Sequence, residues 1–167
     1  MKNFIWLLVL AGLLFLGYRY YQKNNIPANK NTPSVTETPK ETVYTYKLYF
    51  NNTIKDPNLI DCSLVYEIER KSLNPVTPDF VMRELIKGLT PEETKLGFVT
   101  AIPKKCELNF VTVENEKATV DFKPFQIAGS CATSAFTAQV KQTMLALSTI
   151  KEVVITIQGK SEEILQP

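Results

Sequence analysis

Three cysteines, Cys62, Cys106 and Cys131, are the most reactive side chains in a chain of 167 residues that contains no histidine. Without an imidazole there is no Ser-His-Asp or Cys-His arrangement to activate a nucleophile, and the commonest zinc ligand is missing. In an oxidising compartment two of the three cysteines are expected to pair. Cys106 follows Lys104-Lys105, whose charge could lower its pKa. The plainer reading makes it a partly buried small apolar residue at the start of a strand.

The carboxylates form the second set. Glu67 and Glu69 lie two apart on an expected strand and share a face opposite Tyr66 and Ile68. Two acids on one face are the minimum for glycoside hydrolysis, although a solvated strand face explains them as well. Asp121, inside Val120-Asp121-Phe122, is expected to hold a hydrogen-bonded structural role. Asp56, Asn58 and Asp61 are oxygen donors, but their loop lacks the alternation and the glycine of an EF-hand, so no metal is expected there. Gly129-Ser130 is too little glycine for a phosphate loop. Tyr44, Tyr46, Tyr49 and Phe50 could stack on sugars if exposed, yet packing of alternate members into a core accounts for most of them. No catalytic residue, metal or cofactor is therefore expected.

The elements that position these residues follow from periodicity and punctuation. Val43 to Phe50 alternates, with Tyr44, Tyr46, Leu48 and Phe50 on one face of a strand. Asn51-Asn52 and Asp56-Pro57-Asn58 interrupt it. Leu64 to Arg70 reads as a second strand with Leu64, Tyr66 and Ile68 inward. Thr77-Pro78-Asp79 starts a helix striped by Val81, Met82, Leu85, Ile86 and Leu89. Thr90 and Glu93 have capping-box spacing and start a short extra turn. Leu108, Phe110 and, after a shift, Val113 mark a third strand. The polar turn Glu114 to Lys117 leads to its answering strand, with Ala118, Val120 and Phe122 inward. A long helix over Ala132 to Ser148 carries Phe136, Val140, Met144 and Leu147 on one face, and Val153, Ile155 and Ile157 form the last strand. The order β-β-α-β-β-α-β predicts an α+β fold with a single mixed sheet and its helices packed on one face.

Ahead of this domain, residues 4–18 carry no charge, and Arg19-Tyr20-Tyr21 can snorkel and sit at an interface. The bulky Gly17-Tyr18-Arg19 stretch lacks a small-residue cleavage pattern, and no cysteine follows for lipid attachment. Residues 1–21 are therefore expected to be an uncleaved, single-pass transmembrane helix. Residues 22–42, rich in Pro, Thr and Asn, read as a disordered linker, extended at about 3 Å per residue. The domain then spans 43–160, with a tail over 161–167. Composition, 44% hydrophobic and 22% charged, is ordinary for a globular domain. Residues 1–40 carry five basic side chains against one acid, whereas residues 41–167 carry 14 basic and 16 acidic ones, a net of −2. A slightly acidic domain has no electrostatic footprint for a phosphate backbone, so nucleic acid is not an expected partner.

Several segments together resemble a known family. They are Leu48-Tyr49-Phe50, Arg70, Arg83 to Gly88, Thr90 to Glu93, Ala101-Ile102-Pro103 and Ala118 to Phe122. Ala138-Gln139-Val140 with Thr143, and Val153 to Lys160, complete the set. In this order and spacing, from Tyr46 to Lys160, the chain is similar to the GerMN domain of sporulation and spore-germination envelope proteins. The resemblance implies an extracytoplasmic α+β domain, related to ring-building modules, that helps assemble envelope complexes and has no known catalysis. It implies structural roles for Arg70, Gly88, Pro103, Asp121 and Gly159. It also implies a Cys62–Cys131 disulfide, which would close a loop of about 70 residues and stabilise the fold by roughly 4 kcal/mol, leaving Cys106 over.

The expectation is thus a non-catalytic protein-interaction or assembly module of the cell envelope, anchored in the membrane with its domain outside. Its expected partners are envelope proteins and copies of itself. The alternative is a domain that binds peptidoglycan or another wall glycan, which would require an exposed aromatic groove with polar groups beside it.

Overall fold

The computed structural model describes residues 16–21, 42–58 and 60–161. The chain divides into two compact units, Met1–Lys40 and Glu41–Pro167. In the first, residues 16–21 are helical. The rest of the anchor expected over 1–21, the linker expected over 22–42 (Thr42 excepted) and the tail beyond Ser161 lie outside the described residues. Among the described residues no helix is long and apolar enough to cross a membrane.

The second unit runs β1 (Tyr44–Asn52), β2 (Tyr66–Ser72), α1 (Pro78–Lys87), α2 (Pro91–Lys95), β3 (Phe98–Val99), β4 (Leu108–Glu114), β5 (Lys117–Phe122), α3 (Ser130–Leu145) and β6 (Glu152–Ile157). The expected single sheet is two. One has the order β2-β1-β3 and the other β4-β5-β6. Their separation has a local cause. On the edge of β1 away from β2, β3 pairs only with Asn51 and Asn52. Below that point a helix takes over, because the Thr143 hydroxyl of α3 accepts the Tyr49 N–H at 3.0 Å. Nor do the helices pack on one face of one sheet: α3 rests on β1 and β6, and α1 on β4 and β1.

Local chemistry explains most boundaries. The Thr77 side chain caps α1 by accepting the Phe80 N–H, with Pro78 beginning the helix. Thr90 and Glu93 form a complete capping box on α2. Asn115 and Glu116 both take positive φ, giving the left-handed two-residue turn that matches strand twist between β4 and β5. β5 and β6 are parallel, a pairing that needs a long crossover, and α3 supplies it.

The core joins Tyr46, Leu48 and Phe50 of β1 to Val81, Met82 and Leu85 of α1. It continues through Phe136, Val140 and Met144 of α3 to the inner faces of β5 and β6. Phe122, Phe125 and Phe136 meet with ring centroids 5.1 to 5.9 Å apart. The inward assignment of Leu64 fails, and Phe110, a marker of the third strand, faces outward. The register shifts between Leu108 and Phe110, so Asn109 is an extra residue and Phe110 turns outward, opposite Asp121. Leu64 precedes β2 and is exposed. Val113, next to the hairpin turn, is also partly exposed.

Candidate functional site

Each residue that sequence marked for chemistry occupies a definite place, and most are consumed by the fold. Asp121 is fully buried although it lies on a strand. Its carboxylate accepts Thr156 Oγ1 at 2.6 Å, the Gly159 N–H at 2.8 Å and Asn109 Nδ2 at 2.7 Å. Burial pushes its pKa up, but these three hydrogen bonds outweigh that and hold it below the usual carboxylate range. The group ties the β4 bulge, β5, β6 and the following turn together. Gly159 can sit there because its φ of 75° costs glycine nothing.

Arg70 is the second node. Its guanidinium meets Glu93 bidentately, Nε to Oε1 at 2.8 Å and Nη2 to Oε2 at 2.6 Å, and Nη2 also donates to the Gly88 carbonyl at 2.7 Å. Glu84 stands 3.6 Å away and takes a hydrogen bond from the Tyr46 hydroxyl. Because Glu93 Oε2 also accepts the Thr90 N–H at 2.7 Å, one carboxylate closes the α2 capping box and fastens β2 to the α1–α2 junction. Burial raises the Glu93 pKa, but the hydrogen bond from Arg70, helped by Thr90, brings it below the ordinary value.

A third network centres on a buried glutamine. Gln139 of α3 is fully buried. Its Nε2 donates to Asn51 Oδ1 at 2.8 Å and to the Val99 carbonyl at 3.2 Å, while its Oε1 accepts the Ala101 N–H at 3.1 Å. Asn51 Nδ2 in turn donates to the carbonyls of Cys62 and Leu64. The available signal was a glutamine on the same helical face as Phe136, Val140 and Thr143, where an apolar residue is the rule.

Cys62 and Cys131 are joined in a disulfide with Cα atoms 5.3 Å apart, across a sequence separation of 69. The bond pins the β1–β2 loop to the first turn of α3, whose N-cap, Gly129, offers no side-chain cap. Cys106 is buried with a free thiol. Burial, with a contribution from Glu107, pushes its pKa up to about 12. Lys104 and Lys105 do not lower it, and the plainer reading of a buried apolar residue holds. Pro103 accepts the Cys106 N–H through its carbonyl at 2.9 Å and turns the chain into β4.

Glu67 and Glu69 are exposed on β2. Lys47 Nζ lies 2.8 Å from Glu67, and its hydrogen bond holds that carboxyl below the ordinary range. Asp61 spends one oxygen on the Ser63 N–H and hydroxyl. Among the described residues no group of three or more Cys, Asp or Glu side chains is placed to hold a metal. Of the four aromatics at the domain's start, Tyr46 and Phe50 are buried and Tyr44 and Tyr49 half-buried.

The described parts of the loop between β1 and β2 are held by hydrogen bonds and yet show apolar side chains to solvent. Asn52 Oδ1 accepts the N–H groups of Ile54 and Lys55, each at 2.9 Å, and the Thr53 N–H donates to Gly97 O at 2.8 Å. Ile54 nonetheless remains 66% exposed, Ile60 84% and neighbouring Leu96 63%. Gly97, at φ 83°, lets Ile54 lie against its backbone, since a methyl group there would come within 2.6 Å of Ile54 Cγ1.

These features define an α+β domain of two small sheets, locked by buried polar nodes and a disulfide. Residues 47–163 match the Germane family, described as sporulation and spore germination, and the chain belongs to it. The resemblance to GerMN domains read from the sequence is thereby borne out. Among solved structures, the tandem GerMN domains of the sporulation protein GerM from Bacillus subtilis align with a TM-score of 0.47 at 19% identity, over 79% of this chain and 44% of that one. A Clostridium perfringens protein assigned as a lipoprotein aligns with a TM-score of 0.41 at 13% identity, over 71% of this chain and 76% of that one. This chain therefore spans less than half the length of the tandem GerM structure. No protein of curated function matches it.

Proposed function

We propose that this chain is a non-catalytic interaction module of the cell envelope. In this reading its N-terminal segment holds it at the membrane, and its domain stands outside and contributes to the assembly of an envelope complex. The observation that carries it is the β1–β2 loop. A segment held by a disulfide, by Asn51 and by Asn52 still presents Ile54 and Ile60 to water, beside the exposed Leu96 at the end of α2. Holding apolar side chains in place without burying them gains little for the fold, and it lowers the entropy cost of docking a partner.

Supporting arguments come from chemistry. The disulfide belongs to an oxidising compartment. A tether of the length read over residues 22–42 confines the domain near the membrane and raises its effective concentration for neighbours there. Glu67, one of the two acids that suggested hydrolysis, points away from it, because a general acid needs a raised pKa and the Lys47 hydrogen bond lowers that of Glu67. The glycan alternative needs an exposed aromatic groove, and the apolar side chains of this loop are aliphatic.

The test compares the full-length chain with an Ile54→Asp/Leu96→Asp variant after chemical crosslinking in native membranes. Envelope proteins should co-purify with the parent chain and drop several-fold with the variant, at equal levels of folded protein. Recovery of wall fragments alone would replace this reading with the glycan alternative.

A further inference from the structure

Five of the 14 cations that follow residue 40 gather at one end of the second sheet, where β4 begins and β5 and β6 end. A groove of about 430 Å³ lies there between α1 and the sheet. Arg83 and Lys87 line it from the helix and Lys123 from the strand side, and its apolar lining is Ile86, Cys106 and Leu108. A second groove of about 420 Å³ is lined by Lys104 and Lys105 together with Pro103, Pro124 and Phe125. The two adjoin along both chain segments. Lys105 precedes Cys106, Pro124 follows Lys123, and the Lys123 N–H donates to the Glu107 carbonyl at 2.9 Å where the segments cross.

The cations here are available to a newcomer. Arg83 pairs with Asp79 at 2.7 Å, Lys87 with Glu84 at 3.4 Å and Lys123 with Glu107 at 2.6 Å, all through well-exposed cationic side chains. Such solvent-screened pairs exchange partners at little cost. Lys104 and Lys105 make no ion pair among the described residues. The concentration of positive charge stands out because the sequence beyond residue 40 is net acidic.

We propose that these paired grooves dock an acidic protein segment carrying two apolar anchor residues. The inference rests on the reading of the domain as an interaction module and supplies the chemistry of one partner. A bare polyanion such as polyphosphate fits less well, for one reason. The apolar linings of both grooves, Ile86, Cys106 and Leu108 in one and Pro103, Pro124 and Phe125 in the other, would be left unused. An acidic peptide uses both the cations and the apolar linings: its carboxylates replace Asp79, Glu84 and Glu107 on the cations, while one apolar side chain enters each groove.

The experiment uses the full-length chain in detergent micelles at physiological salt. The probe is a fluorescent synthetic peptide of glutamates interrupted by one leucine and one phenylalanine, followed by anisotropy. Controls are the same peptide with serine at both apolar positions, and polyphosphate. The expected result is saturable binding that weakens at least tenfold with the serine peptide. It should weaken by a similar factor in Lys104→Glu/Lys105→Glu and in Lys123→Glu, with circular dichroism unchanged. Equal binding of the serine peptide or of polyphosphate, indifference to charge reversal, or no binding at all overturns the proposal. If it is overturned while Ile54-dependent partners are still recovered from membranes, only this groove assignment falls. Loss of both results removes the interaction reading as well.

Discussion

The side-chain amide of Gln139 donates to Asn51 Oδ1 at 2.8 Å, linking residues 88 positions apart inside a buried environment. Through Asn51 the contact reaches the backbone of Cys62 and Leu64, so α3 holds the β1–β2 loop twice, once by this relay and once by the disulfide. The loop that carries the functional proposal is therefore fixed from the core.

Replacing Gln139 by leucine keeps the volume but leaves Asn51 Oδ1 and the Ala101 N–H without their partner. The expected loss is about 1–3 kcal/mol, the cost of stranding buried polar groups. Urea denaturation with an unchanged m-value checks it. Backbone amide exchange should accelerate in the loop as well as in α3.

Removing the disulfide as Cys62→Ser/Cys131→Ser should cost roughly 4 kcal/mol, less any residual order in the reduced unfolded chain. Cys106 should behave oppositely under alkylation. With a pKa of about 12, roughly one thiol in ten thousand is ionised at pH 8. Iodoacetamide should leave the native protein unmodified over hours and label one site in non-reducing urea.

Acid stability follows from Asp121 and Glu93. Both carboxyls are held below their ordinary values in the fold. Their contribution is thus fully present above the unfolded values, near pH 4, and is lost as pH falls through the lower folded values. Urea midpoints should stay level from pH 7 to about 5 and then decline steeply. Asp121→Asn should be less stable at pH 7 by about 1–3 kcal/mol, with a shallower acid decline, since the charge that titrates is gone.

Arg70→Lys tests the second node. Lysine keeps the charge but cannot make the two-pronged contact with Glu93 and also reach Gly88 O. A loss of about 1–2 kcal/mol is expected by urea denaturation, with the larger loss in Arg70→Ala, which leaves Glu93 facing burial without a cation.

Much of the fold could be read in the sequence because its signals are local. Alternation gave β1, β5 and β6; Thr77-Pro78 and Thr90/Glu93 gave two helix starts. What could not be read depends on residues meeting across the chain. The two-residue strand β3 has no periodicity to detect, and it is defined only by pairing with Asn51 and Asn52. The split into two sheets turns on a hydroxyl from α3 reaching Tyr49. The Asn109 bulge reversed Phe110, since one extra residue flips every following side chain. As for the site, Asp121 and Arg70 were recognised by resemblance. Asn51 looked like a simple strand breaker, because nothing near it in sequence shows that its amide would be met by Gln139.

The most direct test of the interaction reading places a photo-crosslinking amino acid at Ile60 in the full-length protein, with Glu69 as the comparison site, and irradiates intact cells. Adducts to a reproducible set of envelope proteins at position 60, absent at position 69 and lost when Leu96→Asp is added, are the predicted result. Equal labelling at both positions, or labelling that ignores Leu96→Asp, would contradict the account and remove the disulfide-pinned loop as a docking surface.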